Sequence, residues 1–443
     1  EASKLIRVKN IENVSAVFDI PSSRLNKPES FESEITDRGN YQWRGGRAEH
    51  QKLKWYLMDK MGVGRKIDVL GWQAEGFWVW NNKVTLPGDD PIEIDQNGVF
   101  EHKGTSYYVP SANEIFKNSP FHYEPQKKIM CYPPPISFSN YASQVVKVHR
   151  EHGMMGLLFT VSSMFQDIIV DQIDGFPLLF LYGQASSGKD QLADVCQSFF
   201  GKPQTPINLE GGASTLKAKV REFAQFSNLI SQLSEYKNGD PQTDGILKGL
   251  WDRNGYKRGN INSHVGTESI PILSSPLITG NYPADQEALI TRMIWNFMDK
   301  TTFTDAETKE YEKLSDMTKK GISGFTELFL HHREMVKNNF KPTFREFKAV
   351  ITERNKDANS RMITNLAVLG TFYKMFKDIP NIDFTFSHQD MMSHFDKTLK
   401  RQMGLMSNAS IITKWWNCFL ASMRGNHMER LEHGHDFKLD GKL

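Results

Sequence analysis

A chain of 443 residues is too long for one ordinary hydrophobic core and predicts about three domains. Its 39% hydrophobic and 12% aromatic content, with 29 Phe and 9 Trp, supplies sizeable cores and excludes a disordered, collagen-like or filamentous chain. Lys+Arg 54 against Asp+Glu 52 leaves a formal charge of +2, so any contact with nucleic acid has to be local.

Residues 1–135 read as a mixed, β-rich N-terminal domain. A helix is predicted over 50–61, then short aromatic strands from Gly71 (GWQAEGFWVWNNKVTL) and Gly98 (GVFEHKGTSYYV), with Asn-Asn and Lys-Gly at turn positions. Tyr132 and the prolines at 133–135 break regular structure and read as a linker. Over 136–300 helix and strand alternate: a helix around 142–169, a buried strand at 176–182, helices at 191–200 and 214–226, and strands at 228–234 and 270–279. That order implies an α/β layer with a parallel sheet. Residues 301–443 read as a helical C-terminal lid, from the apolar spacing in TELFLHHREMV and ITNLAVLGTFYKMF.

The chemistry-bearing motif lies between the buried strand and the helix after it. Gly183-Gln184-Ala185-Ser186-Ser187-Gly188-Lys189-Asp190 has the form of a phosphate-binding loop. Glycines let backbone N–H groups turn toward phosphates, the helix N-terminus running on through Gln191 adds positive potential, and Lys189 reaches the β and γ oxygens. Asp190 stands where such a loop usually carries Ser or Thr. A P-loop enzyme also needs an acidic residue at a neighbouring strand end; Glu235 is the candidate, with Ser234 where an Asp is expected. The strand at 270–279 runs into Asn281, placed to orient a water beside the γ-phosphate. Arg292, eleven residues on, is placed to reach a neighbour's nucleotide. Between Glu235 and Asn281, Gly255-Tyr256-Lys257-Arg258-Gly259 followed by His264 reads as a basic hairpin tip for a phosphate backbone.

Cys131, Cys196 and Cys418 are scattered without CxxC or metal spacing, which fits a reducing cytoplasm and excludes a Cys-based zinc site. Apolar runs at 154–159 and 176–182 fall far short of the ~20 residues of a membrane span, so no membrane partner is expected. The chain begins with Glu1 rather than Met and reads as a piece of a larger protein.

Taken in order, these motifs resemble the AAA+ core of superfamily 3 helicases, above all the replicative helicases of phages, plasmids and other mobile elements. Gly71-Trp72, Phe200-Gly201 and the Arg361-Met-Ile-Thr-Asn-Leu-Ala stretch extend the resemblance over about 70–370. It implies an ATP- and Mg²⁺-dependent DNA helicase working as a homo-hexamer on single-stranded DNA in a bacterial cytoplasm, with a primase as a further domain or partner. By the same resemblance Lys189 neutralises the phosphates, Glu235 polarises water, Asn281 senses the γ-phosphate and Arg292 acts in trans. Arg361 sits near the nucleotide, and Tyr256, Lys257, Arg258 and His264 line a pore.

Asp190 and Ser234 depart together from the pattern and on one reading are a swap: the loop carries the carboxylate and the strand the hydroxyl, both still available to Mg²⁺. On the other reading they are a lost metal site, and the chain is a P-loop scaffold. An AAA+ initiator or remodeller of DNA without processive unwinding is a further alternative.

Overall fold

The computed structural model describes residues 3–210, 216–253, 256–259, 267–270 and 272–424. The chain forms two compact units, one of residues 1–70 and 77–130, the other of residues 71–76 and 131–443.

In the first unit, Ser3–Lys9 and Ser15–Pro21 pair as an antiparallel hairpin. Gly64–Lys66, Thr105–Tyr108 and Val99–His102 make a three-stranded sheet. The predicted helix at 50–61 is Arg47–Lys60. A helix not foreseen, Pro28–Gly39, precedes it, opened by Pro at its first turn and closed by Asn40 in the left-handed region. It buries Phe31 and Ile35, one turn apart, against Ile6, Phe18, Ile20 and Tyr41.

The second unit is built on a parallel sheet. Its strands are β1 (Leu178–Tyr182), β2 (Ile207–Asn208), β3 (Phe226–Tyr236), β6 (Leu273–Gly280) and β7 (Met293–Phe297), in spatial order β7-β1-β6-β3-β2. Every pairing along this order is parallel. β1 is buried throughout, as a strand covered on both faces must be. One face carries Phe180, Tyr182, Leu233, Tyr236, Ile278 and Trp295 in a single cluster. β4 (Tyr256–Gly259) and β5 (Thr267–Ile270) form a separate antiparallel pair.

The helix expected around 142–169 is two, α1 (Phe138–Ser163) and α2 (Gln166–Ile173). α1 is itself broken at Arg150, whose φ of 53° and ψ of −135° are non-helical. The remaining helices of the core are α3 (Lys189–Gln197), α4 (Leu216–Phe223), α5 (Pro241–Trp251) and α6 (Glu287–Ile290). Beyond the sheet come α7 (Asp305–Lys319), α8 (Phe325–Leu330), α9 (Arg333–Arg354), α10 (Ser360–Phe376) and α11 (His388–Arg424). They pack onto the core. Phe138 of α1 meets Phe325, Phe329 and Phe384 edge-on, and Gln402 donates to the Ile290 and Met293 carbonyls at 2.6 and 2.9 Å.

Gly71 belongs to this unit because of one close approach. Its φ is 99°, and a Cβ there would lie 1.9 Å from the Ser227 carbonyl oxygen; only glycine fits. Among the described residues no single helix is long and apolar enough to cross a membrane.

Candidate nucleotide site

The loop leaving β1 owes its shape to its glycines. Gly183 has φ of 153°, and a Cβ on it would stand 1.9 Å from the Met298 carbonyl oxygen. Its amide donates to the Gly280 carbonyl at 3.2 Å, which ties the loop to the end of β6. Gln184, Ala185 and Ser186 are exposed while Ser187 is buried. Gly188, at φ 87°, caps α3, so the helix N-terminus opens onto the loop. Lys189 curls back beneath it. Its Nζ donates to the carbonyls of Gly183 (2.8 Å) and Gln184 (2.7 Å) and to Asn281 Oδ1 (3.3 Å).

The sheet order explains how Asn281 arrives there. β6 is inserted between β1 and β3, so its C-terminal end falls between the loop and the strand carrying Glu235. Glu235 is exposed and sits at φ 56° near the end of β3. Burial lowers the pKa of Lys189, while the carboxylates of Asp190 and Glu235 pull it back up. Lys189, Asn281, Asp190 and Glu235 thus converge from three adjacent strand ends.

Asp190 is exposed, and its Oδ1 accepts from Gln232 Nε2 at 3.1 Å. Gln232 accepts in turn from Gln197 Nε2 at 3.1 Å. Ser234, half-buried, follows Gln232 by two along β3 and shares its sheet face. Among the described residues no hydrogen bond joins Ser234 to Asp190.

A cavity of about 690 Å³ opens beside the loop, lined by Ser186, Ser187, Gly188 and Gln191 on one side and by His149, Met298, Phe303 and Tyr311 on the others. Its size and mixed lining suit a nucleoside. The break in α1 at Arg150 lies on its rim. The cations around it are already engaged: Arg150 and Lys300 with Glu307 at 2.9 and 2.5 Å, and Lys147 with Glu310 at 3.0 Å. Hydrogen bonds from Lys300 and the Thr304 backbone hold the Glu307 carboxyl down at about 2. The larger cavity, about 960 Å³ in the first unit among Arg7, Asn113 and His122, contains none of the loop residues. Reading the sequence missed His149, Phe303 and Tyr311. The cluster KVHREHG inside an otherwise apolar helix was the signal for the first of them.

His149 is 6% exposed, and among the described residues its Nε2 has no hydrogen-bond partner. Burial first, and the neighbouring His152 second, push its pKa down to about 4; His394 is likewise pushed to about 4. The unfolded chain, with histidines near 6.5, binds these protons more tightly than the folded one. Stability present above pH 6.5 is therefore lost as the pH falls toward 4. The melting temperature is expected to fall steadily between pH 7 and pH 5, and His149→Phe to flatten that dependence. An unchanged slope in the variant would show that His149 is not one of the groups responsible.

Arg292 and Arg361 lie elsewhere. Arg292 Nη1 donates to the Ala288 carbonyl at 2.8 Å, and its guanidinium carbon is 5.9 Å from the Trp251 ring centre. Arg361 donates to Thr291 Oγ1 at 3.3 Å and stands 5.1 Å from the same ring. The structure brings these two together and does not bring Arg361 to the phosphate loop of its own chain.

Lys257 and Arg258 stand opposite Ser269 and Glu268 in the β4–β5 register. The pair read from sequence as a hairpin tip is therefore in its arm, two to three positions in from the connection. Tyr256 begins the same arm, and His264 lies outside the described residues.

No family model matches the sequence, and no curated protein sequence is similar to it. Solved structures are similar in fold. A structure titled "SCCmec type IV Cch - active helicase" superposes with a TM-score of 0.61 at 15% identity, over 96% of this chain and 76% of that one. An NrS-1 C-terminal region (TM-score 0.35, 12% identity, 80% and 74% coverage) and a structure titled "The X-ray structure of JCV Helicase" (TM-score 0.29, 14% identity, 57% and 67% coverage) are more distantly similar. The fold is helicase-like.

Proposed function

We propose that this chain is an ATP-hydrolysing DNA helicase motor of the superfamily 3 AAA+ type, active as a homo-hexameric ring on single-stranded DNA. The observation that carries the reading is the convergence of the Gly183–Asp190 loop, Asn281 and Glu235 on one edge of a parallel sheet whose order puts β6 between β1 and β3. The loop amides and the α3 N-terminus hold the phosphates, and the 690 Å³ cavity takes the base and ribose. Lys189 exchanges its loop carbonyls for the β and γ oxygens. A water ordered by Asn281 attacks the γ-phosphorus, Glu235 takes its proton, and the bond to the β-phosphate oxygen breaks to give ADP and phosphate.

Mg²⁺ fits the oxygen donors present. Asp190 offers an exposed carboxylate held by one hydrogen bond to Gln232, Ser234 offers a hydroxyl from the same face of β3, and the phosphates complete a set of hard ligands. Bound there, the ion neutralises charge developing on the phosphate oxygens. Asp190→Ala is expected to raise the Mg²⁺ needed for half-maximal hydrolysis about tenfold, and Ser234→Ala to raise it less. Normal turnover by Asp190→Ala at low Mg²⁺ would remove the swapped site. The second reading is a P-loop scaffold that binds nucleotide without turning it over, and what favours it is the bond of Asp190 to Gln232 rather than to Ser234. An ATPase measurement with and without single-stranded DNA decides between the two, and strand displacement separates a processive helicase from an initiator.

The β4–β5 hairpin is the proposed DNA-gripping element. Replacing both Lys257 and Arg258 by Ala is expected to lower the salt dependence of single-strand binding by about 0.7 in log–log slope for each phosphate no longer neutralised. Basal hydrolysis should persist. An unaltered slope would assign the pair to solvent.

A further inference from the structure

The helix Arg47–Lys60 settles onto the core of the first unit by one stripe. Leu53 and Leu57, one turn apart, and Met61 just beyond the helix pack against the cluster of Ile6, Phe18, Phe31 and Ile35. His50 is buried beside Phe31. Away from that stripe stand Trp55, 64% exposed, Tyr56, 62% exposed, and Met58. Rings of this size are usually well covered, as Trp78, Trp80 and Trp295 are in this chain. Among the described residues neither the Trp55 nor the Tyr56 ring contacts another ring or a cation. Trp43, just before the helix, behaves in the ordinary way and meets Phe31 and His50 edge-on.

The same stretch is where the charge of a nearly neutral chain is out of balance. Between residues 44 and 66 stand seven Lys and Arg against two acids. Both acids are engaged: Glu49 Oε2 accepts from the Gly46 amide at 3.0 Å to cap the helix, and Asp59 lies 3.6 Å from Lys60 Nζ. Arg44, Arg47 and Lys52 are exposed and, among the described residues, form no ion pair. Lys52 precedes Trp55 and Tyr56 by three and four residues, so it neighbours both on the helix surface. Bare rings beside cations without carboxylates are the two parts of a stacking platform, on which unpaired bases lie against the rings and phosphates meet the cations. A lipid surface would instead take the aliphatic stripe of the helix, and that stripe is buried against the core.

We propose that this helix face is a site for single-stranded nucleic acid, separate from the β4–β5 hairpin, with Trp55 and Tyr56 stacking on unpaired bases and Lys52 neutralising a phosphate between them. The site stands apart from the ATPase reading, because it needs neither the Gly183–Asp190 loop nor bound nucleotide. Stacking on a π face is tolerant of base identity, so the site holds a strand without reading its sequence.

Fluorescence anisotropy of a labelled oligothymidylate tests it, with the full chain and no nucleotide. The titrations are run in the parent and in a Lys257→Ala, Arg258→Ala background, so that the hairpin does not mask the result. Trp55→Ala is expected to weaken binding at least about fivefold in that background, the lower bound for losing one stacked base. Trp55→Phe keeps a π face and should recover most of the affinity. Lys52→Ala should lower the log–log salt slope by about 0.7. Binding to the oligonucleotide should quench part of the tryptophan fluorescence, and Trp55→Phe should lose that part. These side chains are exposed, so thermal melts of the variants should match the parent. Equal affinity of Trp55→Ala and its parent in both backgrounds overturns the site and leaves the hairpin's role standing. An equal loss for the oligonucleotide annealed to its complement also overturns it, since paired bases offer no free face. Binding to phosphatidylserine vesicles that Trp55→Ala abolishes, with oligonucleotide binding unchanged, would assign the face to lipid. A smaller particle mass in Trp55→Ala than in the parent would assign it to a second copy of this chain.

Discussion

Lys189→Ala is expected to reduce ATP hydrolysis by about 10²–10³-fold or more, the scale on which removing one preorganised group that meets developing charge acts. The fold should survive. The side chain is 7% exposed, but its ammonium reaches the Gly183 and Gln184 carbonyls of the loop rather than the core. Losing those charge-assisted bonds, one buried and one part-buried, costs on the order of 2–3 kcal/mol. The two readouts are steady-state hydrolysis and a thermal melt. A variant that melts within a few degrees of the parent and is inactive fits the phosphate-loop role. A variant that hydrolyses ATP at the parental rate would mean that the Gly183–Asp190 loop binds something else.

The loop was legible because its signal is local: eight contiguous residues between an apolar strand and a helix, with glycines at the two ends where positive φ is needed. The alternation of helix and strand was legible for the same reason. The order of strands was not, because parallel pairing joins residues far apart in sequence, and nothing in the 270–280 segment says that it slips between β1 and β3. The cavity was hidden likewise, since His149, Gln191, Met298 and Tyr311 come from four separate segments. The short helix Pro28–Gly39 had a weak pattern, with one pair of buried apolar residues a turn apart. Arg361 was drawn toward the nucleotide by its order in the chain, whereas the packing of Asn365 against Thr291 and Trp251 fixes it at the other end of the sheet.

Asp167→Ala is expected to destabilise the second unit by about 3–5 kcal/mol, the cost of leaving a buried charge without its partner. Arg333 is 6% exposed and ion-paired to the Asp167 carboxylate, with its guanidinium carbon 3.5 Å from the centre of the Trp72 ring. Burial depresses its pKa, and Asp167 is the largest influence restoring it. The same carboxylate serves a second, half-buried cation. Arg253, pulled down to about 10 by burial, feels Asp167 while its donors go to the Ile272 and Leu273 carbonyls at 3.2 and 2.9 Å. Asp167 also accepts from Asn228 Nδ2 at 2.6 Å, next to the bulge in β3. This one carboxylate of α2 therefore ties α2 to α9 and β3, and removing it leaves both Arg333 and Arg253 without their compensating charge. The ion pair itself has small net worth if both partners go, because desolvating the two ions offsets most of their attraction. The double variant Asp167→Ala with Arg333→Met should accordingly recover a large part of the stability, with Met filling space beside Trp72. Denaturant melts of the two single variants and the double complete the cycle. If the double variant is as unstable as the sum of the singles, Asp167 acts through Asn228 and Arg253 rather than through Arg333, and the Trp72 stack is held by packing alone.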